Sequence, residues 1–149
     1  MSLIPTLPTP TTPTTIVLVD PSSSDGESSL DLLRDLGDDV QHVAVVTLLS
    51  GRHSGALRDY AHAENIDLTT AGWNYLDQVC ERIARPGLAV ETILATGPAT
   101  ATELAAVARD RLVERIVLPS SVVRAERAIV DRLAAETATA VVAAELAGV

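Results

Sequence analysis

Lysine and phenylalanine are both absent from the chain, and cysteine, methionine and tryptophan occur once each. Every one of the eleven basic residues is therefore arginine, set against twenty acidic residues for a formal charge of −9. Without lysine there is no P-loop, whose Lys contacts nucleotide phosphates. The acidic balance has no basic stripe, and this argues against binding to nucleic acid backbones or anionic membranes. Cys80 alone excludes an internal disulfide and a cysteine-based zinc site, which fits a reducing cytoplasm. No apolar run reaches the ~20 residues of a membrane span, and Met1 to Thr15 has neither a basic region nor an apolar core of leader type, so no membrane insertion is expected.

What is present is small and β-branched. Apolar residues make up 47% of the chain, mostly Ala, Val, Leu and Ile, with Trp73, Tyr60 and Tyr75 as the only aromatics. Such packing suits helices lying closely on a parallel sheet. A chain of 149 residues can bury roughly 70% of its unfolded surface, enough for one core without staples.

Prolines at 5, 8, 10 and 13 among threonines mark residues 1–14 as an extended, disordered arm; residues 15–149 form the domain. Strand-length apolar runs then alternate with helical patterns: TIVLVD at 15–20, HVAVVTLL at 42–49, LAVETILA at 88–95, RIVLP at 115–119 and TAVVAA at 139–144. Between them helices are expected over Ser28 to Leu36, near Ala56 to Glu64, and from after Thr69 or Thr70 to a stop before Pro86. This last helix carries Trp73, Leu76, Val79, Cys80 and Ile83 on one face, where Cys80 reads as a small buried hydrophobe. A fourth opens with a Thr100 to Glu103 capping box and buries Leu104, Val107, Ala108 and Leu112. The last runs unbroken from Val122 to Glu136. Together these predict a five-stranded, doubly wound parallel sheet of Rossmann-like type, strand order 3-2-1-4-5, with helices on both faces.

Ligands of such sheets bind beyond the carboxyl ends of the strands, where strand order reverses. The candidate binding residues are thus Asp20, Pro21 and Ser22 after the first strand, Thr47 in the second, Gly97 (with Pro98) after the third, and Pro119, Ser120 and Ser121 after the fourth. Asp20 can accept hydrogen bonds from a ribose or base, or cap its own turn; the serines can hold an anion at a helix N-terminus, or cap helices. His42, His53 and His62 lack metal-ligand spacing, and no nucleophile elbow, GxGxxG or GxxxxGK is present, so neither enzyme nor metal site is expected.

In order and spacing, TIVLVDPSSSDGESSLDLL, GLAVETILATGPATATELAAVARDRLVERIVLPSS and RAIVDRLAAETATAVVAA resemble the universal stress protein family. That resemblance implies an adenine-nucleotide-binding fold in which Asp20 matches the adenosine-contacting carboxylate and Thr47 lies near the adenine. It implies a dimer paired through the last strand, Thr139 to Ala144, and action through a protein partner still to be identified. ATP-binding members carry Gly-x-x-Gly after the fourth strand and a Gly-Ser or Gly-Thr pair about nine residues later. Here the stretch reads PSSVVRAERAIV, without glycine, and Pro119 removes an amide. The expectation is a non-enzymatic regulatory module with no resident cofactor and at most weak ATP or AMP binding; the alternative is an adenosine-nucleotide or small-anion sensor.

Overall fold

The structure, a computed structural model, describes residues 13–21, 30–31, 34, 40–49, 54–97, 100–126 and 128–137, and the backbone of 140–144. Its strands are β1 (Thr14–Leu18), β2 (His42–Leu48), β3 (Ala89–Ala95), β4 (Val113–Pro119) and β5 (Ala140–Ala144). The helices are α1 (Gly55–Glu64), α2 (Leu68–Ile83), α3 (Thr100–Arg109), α4 (Ser120–Ala125) and α5 (Ile129–Thr137). Leu30, Asp31 and Arg34 are also helical, within the segment expected to form the first helix.

All strand pairs are parallel, in the order β3-β2-β1-β4-β5. The run β3-β2-β1-β4 is as expected from sequence, and β5 is placed beside β4 by its backbone pairing. Alternation along β1 splits the core. Ile16 and Leu18 join Val46, Leu104, Ile116, Leu118 and Leu133 on one face, while Val17 joins Val43, Val45, Leu76, Val79 and Val117 on the other. The strand runs are continuously apolar because both faces are covered. Each fully buried leucine here stabilises the fold by roughly 1.5–3 kcal/mol.

Several local expectations need correction. β1 takes in Thr14, assigned from sequence to the arm; Thr14 is buried and its hydroxyl hydrogen-bonds His42 Nδ1 at 2.9 Å. The α2 helix starts at Leu68, earlier than expected, because the Asp67 carboxylate accepts from the Thr70 amide at 2.7 Å as an N-cap. Trp73 lies outside the buried stripe, 42% exposed. That stripe runs through Gly72, Leu76 and Val79, since a Cβ on Gly72 would stand 2.6 Å from a Leu94 methyl and 3.0 Å from a Leu49 methyl. The helix lies close against the sheet at this glycine, and the neighbouring indole faces outward. Cys80, on the flank of the stripe, is only half-buried.

A further correction concerns the expected helix from Val122 to Glu136, which is two helices. α4 ends at Glu126, whose backbone leaves helical geometry (φ −126°, ψ 71°) and whose carboxylate accepts from the Thr100 hydroxyl at 3.1 Å. α5 begins three residues later. The Thr100 hydroxyl at the start of α3 thus reaches a remote carboxylate, and Leu112, expected on the buried face of that helix, lies beyond its end and is 50% exposed.

Candidate functional site

β1 lies between β2 and β4, and the chain moves outward to β3 before returning to β4. Strand order therefore reverses between β1 and β4, where a doubly wound sheet opens its crevice. Past the pairing of Val17 with Val117, Asp20 and Ser120 follow the ends of these two adjacent strands. The pairing of Leu18 with Val46 likewise brings Thr47 beside Val19. Asp20, Pro21, Thr47, Pro119, Ser120 and Ser121 thus share one edge over three adjacent strands. Gly97 follows β3, the far strand of the sheet, and Ser22 lies outside the described residues.

The side chains at this edge are mostly enclosed. Asp20 is 5% exposed and Ser120 7%, while Thr47 is fully buried. The Thr47 hydroxyl donates to the Val19 carbonyl at 3.0 Å, and the Val19 amide donates to the Val46 carbonyl at 2.9 Å. These bonds tie the end of β1 to β2 past the last regular pair. Gly97 leaves room for the Glu103 side chain, whose carboxylate a Cβ would overlap. That glycine serves the first turn of α3.

After β4 there is no loop. Pro119 is both the last residue of the strand and the N-cap of α4, with φ −62° and ψ 146°, and Ser120 is already helical. Phosphate loops work by presenting successive free amides from a wide backbone turn. Proline supplies no amide, and an immediate helix leaves no turn. The Ser121 Oγ is shielded from solvent and has no hydrogen-bond partner. Among the described residues, the groups at this edge suited to recognising a ligand are one carboxylate and a few hydroxyls.

No group of three metal-ligating side chains occurs among the described residues. His42 sits at the start of β2, His62 is exposed on α1, and His53 lies outside the described residues. No helix among the described residues is long and apolar enough to cross a membrane.

At the amino end of the sheet is a constellation that motif reading missed. Arg111 grips Glu91 with two bonds, Nε to Oε1 at 2.8 Å and Nη2 to Oε2 at 2.6 Å, while its Nη1 donates to the Val107 carbonyl at 2.6 Å. The hydrogen bonds from Arg111 hold the Glu91 carboxyl below its ordinary value, against the opposing effect of burial. Beside this pair, a hollow of about 680 Å³ opens among the ends of α3 and α5 and the start of β4. The two partners are twenty residues apart, and no local pattern announces the pair.

No family model matches the chain, and no curated protein does. Two solved structures share the fold. Hypothetical protein MJ0577, described under a structure-based assignment of biochemical function, has a TM-score of 0.64 at 14% identity over 91% of this chain and 97% of its own. Hypothetical protein PH0823 has a TM-score of 0.60 at 20% identity over 87% of this chain and 94% of its own. Both likenesses support a Rossmann-like α/β domain with a parallel sheet.

Proposed function

We propose that the chain is a universal stress protein-like regulatory module that performs no chemistry of its own, dimerises through Thr139 to Ala144 and acts on a protein partner, with weak or absent ATP binding. The observation that carries this reading is the direct passage from β4 into α4 through Pro119, at the place where a phosphate-binding backbone would have to stand. Pairing through the last strand is supported by the position of β5 at the end of the strand order, with β4 on one side only. Unpaired edges of this kind favour strand addition.

Native mass spectrometry combined with thermal melting tests the reading. The expected result is a bare dimer whose melting temperature does not move with millimolar ATP. A ligand at 100 times its Kd stabilises by about 2.7 kcal/mol, a shift on the order of 5–10 °C for a domain of this size. A shift that large, or co-purified nucleotide, would overturn the proposal.

The enclosed Asp20 carboxylate and the unpartnered Ser121 hydroxyl favour a second reading, in which the same edge senses adenosine, AMP or a small anion. Stabilisation by adenosine or AMP that Asp20→Asn abolishes would establish it, and stabilisation by inorganic phosphate alone would restrict it to an anion.

A further inference from the structure

The hollow at the amino end of the sheet has an apolar wall made by Ala105, Ala108, Leu112 and Val113. Its volume of about 680 Å³ falls within the range of pockets that hold ligands or peptide segments. Several of the polar groups around it are engaged within the fold, while Arg109 on the rim is exposed. Arg111 is held by Glu91 and the Val107 carbonyl, and Glu136 accepts from Arg132 Nε at 3.2 Å. The Thr102 hydroxyl accepts from Arg132 Nη2 at 3.1 Å, and the Thr137 hydroxyl donates to the Leu133 carbonyl at 2.6 Å. The exposed apolar surface here is above all Leu112, 50% exposed and one of two large exposed hydrophobics among the described residues.

The chain itself arrives at this wall. The Thr14 amide donates to the Leu112 carbonyl at 2.8 Å, and Thr14 pairs with Val113. Residues 1–12 therefore join the fold directly beside Leu112. They bear no charged side chain, include Leu3, Ile4 and Leu7, and are stiffened by prolines at 5, 8 and 10. In an extended proline-rich form of about 3.1 Å per residue, the six steps from Pro13 back to Leu7 span about 19 Å, enough to cross the hollow. Pre-extension also lowers the entropy lost on docking.

We infer that residues 1–12 of the same chain dock in the hollow between the ends of α3 and α5, laying Leu3, Ile4 and Leu7 against Leu112, Ala105 and Ala108.

Amide hydrogen exchange on the full chain tests this, comparing the native sequence with a variant carrying Leu3→Asp, Ile4→Asp and Leu7→Asp. Exchange at Arg111, Leu112 and Val113 is expected to quicken about tenfold in the variant, as for a locally released segment, with amides of the far strand β3 unchanged. Leu112→Asp is expected to quicken it similarly, and combining both changes to add little more, because both disrupt one contact. Unchanged exchange in the arm variant would overturn the inference. So would protection that falls on tenfold dilution, since the occupant would then be the arm of a second copy.

Discussion

At its carboxyl end β4 passes through Pro119 straight into α4, and the neighbouring Asp20, Thr47 and Ser120 are all buried. At its amino end the same strand is preceded by Leu112, half in solvent, beside a hollow of about 680 Å³ and a charged bridge from Arg111 to Glu91. General experience of doubly wound sheets puts ligands at the first end. In this chain the Thr47 hydroxyl ties the end of β1 to β2 there, while a hollow of about 680 Å³ stands at the other end. A topological rule says where a crevice can form, and the residues at the strand ends decide whether it does.

The largest effect that separates the ends is packing. Leu118→Ala, at a fully buried position in the carboxyl half of β4, is expected to cost about 3 kcal/mol, whereas Leu112→Ala at the amino end costs under ~1 kcal/mol. Urea denaturation of both variants measures the difference. Equal losses would show that the two ends are packed alike.

Next in size is the polar tie at the carboxyl end. Thr47→Val removes the hydroxyl that bonds Val19 and is expected to cost about 1 kcal/mol. A neutral result by the same denaturation would mean that the end of β1 is held by its backbone pairing alone.

At the amino end, the Arg111 to Glu91 bridge is partly open to solvent and is worth about 0.5–1 kcal/mol after screening. Because the Glu91 carboxyl is lowered in the fold, the unfolded chain takes up its proton first as pH falls. The contribution is therefore complete above the ordinary value of 4.5, shrinks as pH drops through it, and vanishes below the lowered folded value. Glu91→Gln should remove that part of the acid sensitivity, measured as the difference in urea midpoint between pH 7 and pH 3.

The smallest expected effect is chemical. Burial first, and the Asp77 carboxylate second, push the Cys80 thiol above its ordinary value. At pH 8 it should react with a disulfide reagent more slowly than free cysteine. A faster reaction would mark it as an activated thiol.

Much of the architecture was legible in the chain. The continuously apolar runs around Ile16, Val45 and Val117 report a sheet covered on both faces, because any polar side chain there would be buried. Helix stops at Pro86 and Gly87 were equally clear, with Gly87 at φ 84°. The outward turn of Trp73 was not, since it depends on how closely Gly72 lets α2 approach Leu94 across the layer. Nor was the break at Glu126. Ala125, Glu126 and Ala128 are good helix formers, and the apolar spacing from Val122 to Leu133 runs through them without interruption. At the candidate site, the lack of glycine after β4 was plain in sequence, but the enclosure of Asp20 and Ser120 was not.

By itself the sequence determined the α/β class, the inner β3-β2-β1-β4 order and the absence of a glycine phosphate loop. These rest on local periodicity, on chain connectivity and on which residues are present. Tertiary structure alone decided that the Thr100 hydroxyl meets Glu126, that Arg111 meets Glu91 and that the Leu112 carbonyl meets the Thr14 amide. Such contacts join residues that are remote along the chain, and only the packing of helices on the sheet brings their side chains within bonding distance.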